Sequence, residues 1–266
     1  VSTTARVLAR LRASEGFVSG ETISRELGLS RVAIWKHVHT LRTQGCSIDA
    51  CRHRGYRLRG DPDLPTAEAV GASLHTTSVG RSLLFFREVD STNHQLAMRE
   101  AGAAEGLVLV ADRQTAGRGR MGRMWFSPAG VNVYLSVLLR PRVSLAQVAT
   151  LPLAMGCVAA RALQQVAPNV RVKITWPNDL YVEGRKLGGI LCELVAETDG
   201  VRHVVAGIGV NVNLRRNQMP SAIARTATSL AVETRRVHAR AAIVAELLNQ
   251  LEPAYQAWCA EGLDPF

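Results

Sequence analysis

The chain has 266 residues, 47% of them hydrophobic and 20% charged, with a formal net charge of +10. That length allows a sizeable core in one or two domains, and that balance excludes a disordered polymer. The charge is uneven: residues 1–60 hold 11 Lys and Arg against 4 Asp and Glu, and the remainder holds 21 against 18. A basic module that meets a polyanion, attached to a nearly neutral body, is the reading of that asymmetry. The alternative, a basic face serving only solubility, is disfavoured because the excess coincides with the helix-turn-helix pattern described next.

In chain order, Val7, Leu8 and Leu11 give the opening segment a helical spacing. Ile23 and Leu27 mark a short helix, Gly28 a tight turn, and Ser30 the N-cap of a second helix that Gly45 ends. In that second helix Ile34, Val38 and Leu41 face a core. Arg31, Trp35, His39 and Arg42 then point outward, where a recognition helix meets the major groove, with Ser30 at its start. Residues 47–50 and 56–59 read as strands of a wing, joined by a basic turn whose Arg52 and Arg54 reach for phosphates. A winged helix used only for protein contacts or dimer formation is the competing reading. The expected boundaries are a DNA-binding domain at 1–60, a proline-bearing linker at 61–66 capped into the next helix by Thr66, and a second domain at 67–266.

In the second domain helices are expected at 67–74, 92–101 and 146–166, the last a core helix. Strands are expected at 82–88, 107–112, 131–139 (alternating), 170–175, 180–182, 187–195 and 204–212. That is an α+β domain with a mixed sheet rather than a repeating βαβ unit. The five cysteines form no CxxC pair; Cys157 and Cys192 read as core residues, and Cys46 and Cys51 as hairpin neighbours without a metal or redox role. With no run of eighteen apolar residues and no signal-peptide pattern, no membrane association is expected, and a reducing cytoplasm is.

Three blocks carry the chemistry. The stretch 114–128, QTAGRGRMGRMWFSP, supplies glycines that let amides approach a ligand and guanidiniums that hold carboxylate or phosphate oxygens. Trp176-Pro177-Asn178-Asp179 and Lys186-Leu187-Gly188-Gly189 follow it. Alone, a Gly/Arg loop is a weak signal. In this order and spacing the blocks resemble the catalytic domain of biotin protein ligases, across nearly all of 66–266. The segments 19–45 and 55–56 resemble the DNA-binding half of the bifunctional biotin-operon repressors. Trp35 stands where a polar side chain would more readily read base edges, so a different operator sequence is expected.

The resemblance implies a winged helix-turn-helix followed by a class II-synthetase-like catalytic domain shared with lipoate ligases. It implies a reaction in which biotin and ATP form biotinyl-5′-AMP and biotin passes to a lysine of biotin carboxyl carrier protein, a subunit of acetyl-CoA carboxylase. By the same resemblance Ser91, Thr92 and Asn93, with Gln114, bind biotin's ureido ring. Arg118 and Arg120, with the amides of Gly117 and Gly119, bind the carboxylate and then the adenylate phosphate. Lys186, beside Gly189, stabilises the charge at the bridging oxygen. Trp125 packs on the nucleotide or, equally, anchors the loop as a core residue. Asn178 and Asp179 orient phosphates, Mg²⁺ or the incoming lysine, and Asn211 recognises adenine; no metal ligand is assigned. Also implied are a homodimer promoted by biotinyl-5′-AMP as corepressor and binding to the operator of biotin-synthesis genes. Two departures stand out. Thr175 occupies a position that is commonly lysine, with Lys173 two residues earlier on the same strand face. The family's small C-terminal β-barrel is expected to be absent. A ligand-sensing repressor without efficient transfer and a lipoate ligase are the alternatives.

Overall fold

The structure is a computed structural model describing residues 3–43, 46–60, 63–197 and 200–266. Gly45, expected to end a helix, and Asp61 and Pro62 of the expected linker lie outside the described residues. The chain forms two compact units, 1–63 and 64–266.

The first unit contains α1 (Thr3–Arg12), α2 (Gly20–Leu27), α3 (Arg31–Thr43) and a hairpin of β1 (Ser47–Cys51) with β2 (Gly55–Gly60). Ser19 caps α2 by accepting from the Thr22 amide, and Gly28 closes it in the left-handed conformation. Ser30 Oγ accepts from the Ala33 amide at the start of α3. Val7, Leu11, Ile23, Ile34, Val38 and Leu41 form the core with Ile48 of the wing. Val18 pairs with Tyr56 in both directions, 2.8 Å each way, and so adds a third short strand to the wing. Cys46 precedes β1 and Cys51 pairs with Gly55, so the two thiols do not oppose one another in the hairpin.

The second unit is one seven-stranded sheet. Its strands are β3 (Leu83–Val89), β4 (Val108–Gln114), β5 (Val133–Leu139), β6 (Lys173–Thr175), β7 (Asp179–Val182), β8 (Arg185–Glu197) and β9 (Gly200–Val210). Their spatial order is β3-β4-β5-β9-β8-β7-β6, with only the β3–β4 pair parallel, hence a mixed sheet. The helices are α4 (Ala67–Gly71), α5 (Thr92–Ala97), α6 (Leu145–Val148), α7 (Leu151–Val166), α8 (Leu230–Thr234) and α9 (Arg240–Glu261). One sheet face packs Val133, Leu135, Val137 and Leu139 against α7 and α9. The opposite face packs Leu109, Leu138 and Val205 against Leu96 of α5.

Several expectations are corrected. The predicted helix 67–74 stops at Gly71, because Asn249 of α9 takes over the chain there: its Oδ1 accepts from the His75 amide and its Nδ2 donates to the Ser73 carbonyl. The predicted helix 92–101 stops at Ala97 and continues as three-residue turns. The single helix expected at 146–166 is two helices broken at Ala149–Thr150, where Pro152 at the start of α7 has no amide to extend the ladder. β5 is buried at all seven positions rather than alternating, because helices cover both faces. Leu145–Val166 has the length and mean hydropathy, 1.4, of a membrane span; half of it is buried, the position of a core helix. Beyond Val212, where no element is expected, α8 and the 22-residue α9 follow.

Glu252 of α9 ties that helix to the approach to β3. Its carboxylate accepts from the amides of Thr77, Ser78 and Val79 at 2.7, 2.7 and 2.9 Å, and from both hydroxyls. Burial alone would raise its pKa, but these amides outweigh it and hold the group at about 2. A depressed carboxylate pKa contributes stability that is present above its unfolded value and lost as pH falls through its folded value. Glu252→Gln is therefore expected to lower unfolding free energy at pH 7 by about 2 kcal/mol. The gap from wild type should close as pH is taken from about 4.5 toward 2 in urea titrations; a gap independent of pH would contradict the assignment.

Candidate functional site

The main cavity of the second unit, about 920 Å³, opens where the 115–130 loop, the β8–β9 pair and the 220–227 segment converge. Lys186 joins the last two: its amide donates to the Thr226 carbonyl at 2.8 Å and its carbonyl accepts from Thr228 at 2.9 Å.

One wall is neutral and polar. Ser91 is the N-cap residue of α5, yet its buried side chain caps no amide, leaving its hydroxyl on the cavity lining. Gln114 Oε1 accepts from the Thr92 amide and hydroxyl at 2.8 and 3.2 Å, while its Nε2 donates to Ser127 Oγ at 2.9 Å. Ser136 Oγ lies 2.8 Å from Thr92 Oγ1 and 2.6 Å from Asn93 Oδ1. Asn93 donates to the Leu191 carbonyl at 3.1 Å and to Glu193 at 2.7 Å. Its amide is thus spent on bolting α5 to the sheet. Gly207 makes room for it, since a Cβ there would stand 2.2 Å from Asn93 Oδ1.

The loop wall is cationic. Arg118, Arg120 and Arg123 line the cavity, are exposed, and have no carboxylate partner among the described residues. The loop holds its own shape through Gly119 donating to the Arg123 carbonyl at 2.7 Å and Trp125 to that of Gly117 at 2.9 Å. Lys186 Nζ pairs with Asp179 Oδ2 at 2.7 Å and lies 5.5 Å from the centroid of the Trp125 ring. Asp179 is the one carboxylate on the described lining. Trp125 itself is half-buried against β9: a Cβ on Gly209 would meet its Nε1 at 2.7 Å. Such a surplus of positive charge over one carboxylate is a binding place for an anion.

Two of the asparagines expected at ligand also brace the frame. Asn178 Nδ2 donates to the Ile190 carbonyl at 2.5 Å and its own carbonyl accepts from Ile190, so it clamps β8. Asn211 Nδ2 donates to the Thr228 carbonyl at 3.0 Å while its Oδ1 accepts from Asn132 at 3.2 Å. Both still border the cavity, as does Gly189, whose Cβ would sit 3.3 Å from Asp179 Oδ1. Thr175 is on the lining; Lys173 is exposed on the same face of β6 but does not line the cavity. Arg123, Met121, Met124 and Trp176 on the rim, and Pro220, Ile223, Thr226 and Ala227 on the far side, join the lining without having been expected there. Arg123 and the rim residues sat inside the blocks already singled out. The 220–227 segment carries no local signal and is recruited only by its pairing with Lys186.

In the first unit, Arg31, Trp35 and His39 are exposed on one side of α3. Arg42, exposed as well, also has a partner within the unit. Its Nε and Nη2 donate to the Ile48 carbonyl at 3.0 and 2.6 Å, which fixes α3 to β1. In the wing turn Arg52 is exposed, and the Arg54 guanidinium lies over the Phe17 ring, 4.6 Å from its centroid, as does that of Arg57 at the same distance.

Residues 85–211 match the Biotin/lipoate A/B protein ligase family, and residues 3–57 match an HTH domain. The chain is 37% identical over 257 residues to the bifunctional ligase/repressor BirA of Bacillus subtilis, covering 96% of this chain and 78% of that protein. It is 36% identical over 259 residues to the protein of the same name from Escherichia coli, covering 97% and 78%. Among solved structures, the biotin protein ligase of Aquifex aeolicus in complex with biotin and ATP superposes with a TM-score of 0.61 at 34% identity, covering 70% of this chain and 75% of that one. The site blocks lie within the first match and the helix-turn-helix within the second, and on these grounds the chain belongs to the biotin protein ligase family, in its branch of bifunctional ligase/repressors.

Proposed function

We infer that this chain is an ATP-dependent biotin protein ligase that also represses transcription. The observation carrying the reading is the cavity itself: Arg118, Arg120, Arg123 and Lys186 face a single carboxylate beside a neutral, hydrogen-bonding wall. A carboxylate oxygen of biotin attacks the α-phosphorus of ATP, pyrophosphate leaves, and biotinyl-5′-AMP remains. The amine of a lysine on the biotin carboxyl carrier protein then attacks the acyl carbon, an amide forms, and AMP departs. The first step brings negative oxygens together, and the second builds negative charge on the tetrahedral oxygen and the departing phosphate as the amine gives up a proton; the four cations offset both. No enzyme nucleophile is required, consistent with a described lining that holds neither Cys nor His. Ser91 and Gln114 suit the ureido ring, with Thr92 holding Gln114 in place.

Mg²⁺ is proposed to accompany the nucleotide. Among the described residues no cluster of His, Cys, Asp or Glu would hold a metal unaided. Asp179 alone suits an ion held mainly by phosphates and water, which would supply further charge neutralisation. We further propose a cytoplasmic protein whose biotinyl-5′-AMP complex forms a homodimer on a two-fold operator.

Two tests bear on this reading. Purified protein is expected to exchange labelled pyrophosphate into ATP when biotin is added and not when lipoate is; exchange driven by lipoate would overturn the substrate. Gly209→Ala, which displaces the Trp125 indole, is expected to raise KM for ATP about tenfold, roughly 1.4 kcal/mol, at unchanged KM for biotin. An unchanged KM for ATP would leave Trp125 as an anchor of the loop.

A further inference from the structure

α3 carries an apolar patch that folding does not use. Ile34, Val38 and Leu41 enter the core from one side of the helix, yet Val32 and Trp35 remain 65% and 57% exposed. The Trp35 indole is not loose. It stacks on His39 one turn later, ring centroids 5.6 Å apart and planes 15° from parallel, which holds it against the helix surface. Arg31 and Lys36 are exposed beside the patch, and the unit's sequence holds 11 basic residues against 4 acidic. An apolar spot flanked by cations suits a partner that is anionic outside and locally apolar inside. Duplex DNA has that character, its apolar feature in the major groove being the thymine 5-methyl group.

Neither side chain reads bases by paired hydrogen bonds. Val32 has no polar atom, and an indole offers one donor and no acceptor, whereas base discrimination by hydrogen bonding uses forked Arg, Asn or Gln groups. We propose that α3 reads its operator chiefly through thymine methyl groups, with Val32 and Trp35 as the specificity-determining residues and His39 as the positioning residue for the indole. This rests on the reading that the N-terminal unit binds DNA.

The test starts from duplexes selected out of a random pool by the full chain with biotin and Mg·ATP. Each thymine of the selected site is then replaced by uracil, which removes the 5-methyl and nothing else, and affinity is read by fluorescence anisotropy. The wild type is expected to lose about fourfold per contacted methyl, the worth of one buried carbon group. Trp35→Ala and Val32→Ala should bind thymine and uracil duplexes alike at those positions, with the salt dependence of binding retained. Trp35→Phe should keep part of the discrimination. Equal wild-type affinity for thymine and uracil duplexes overturns the methyl reading while leaving DNA binding intact. No selective binding to any duplex overturns the DNA-binding reading and this proposal with it.

Discussion

Lys186→Met is expected to slow biotin-dependent pyrophosphate exchange by about 10²- to 10³-fold, the usual loss when one preorganised charge is removed from a developing oxyanion. The ammonium is fixed from three directions. Its chain is paired on both sides with the 226–228 segment, Asp179 holds it at 2.7 Å, and the Trp125 ring lies 5.5 Å away. A group so placed loses little freedom when the anion arrives, and methionine keeps the volume while removing the charge. Lys186→Arg should recover little, because a planar fork does not occupy the place of a compact ammonium. The melting temperature should stay near that of the wild type, since the side chain is partly exposed. Exchange within threefold of wild type would sink the role given to this lysine.

Arg240→Met is expected to have the largest effect on stability, about 3–5 kcal/mol. Arg240 is 1% exposed; its guanidinium donates to Asp112 at 2.7 Å and to the Asn132 carbonyl at 3.1 Å. Asp112 also accepts from the Gly130 amide at 3.0 Å. The pair therefore pins the start of α9 to the end of β4 and to the far end of the Gly/Arg loop. Removing the arginine leaves a buried carboxylate without its cation, which is why the loss exceeds that of a surface ion pair. Asp112→Asn combined with Arg240→Met removes both charges and is expected to recover more than half of the loss in urea unfolding. An additive double variant would show that the two residues act separately.

The parts of the fold that the sequence disclosed are those with local causes. The helix-turn-helix follows from Ser30 as a cap and from Ile34, Val38 and Leu41 at helical spacing, features a short window contains. The errors come from distant contacts. The helix after Thr66 ends where Asn249 intercepts the chain, and Asn93 and Asn211, which line the cavity, also brace the frame because Glu193 and Thr228 lie within reach. A helical projection also does not show that the wing supplies Arg42 with the Ile48 carbonyl as a partner. α9 was missed although Ile243, Val244, Leu247, Leu248 and Leu251 repeat at helical spacing, a signal that was there to be read. The cationic half of the site was legible because the Gly/Arg loop and Lys186 carry their chemistry in sequence. The 220–227 wall was not, since only sheet geometry brings it to Lys186.

Mass spectrometry of a purified biotin carboxyl carrier domain, after incubation with biotin, Mg·ATP and substoichiometric protein, reads the ligase activity itself. The carrier is expected to convert to a single biotin adduct on one lysine, over many turnovers, with AMP and pyrophosphate released in equal amounts. An unmodified carrier, in reactions where ATP is not cleaved, would contradict that activity.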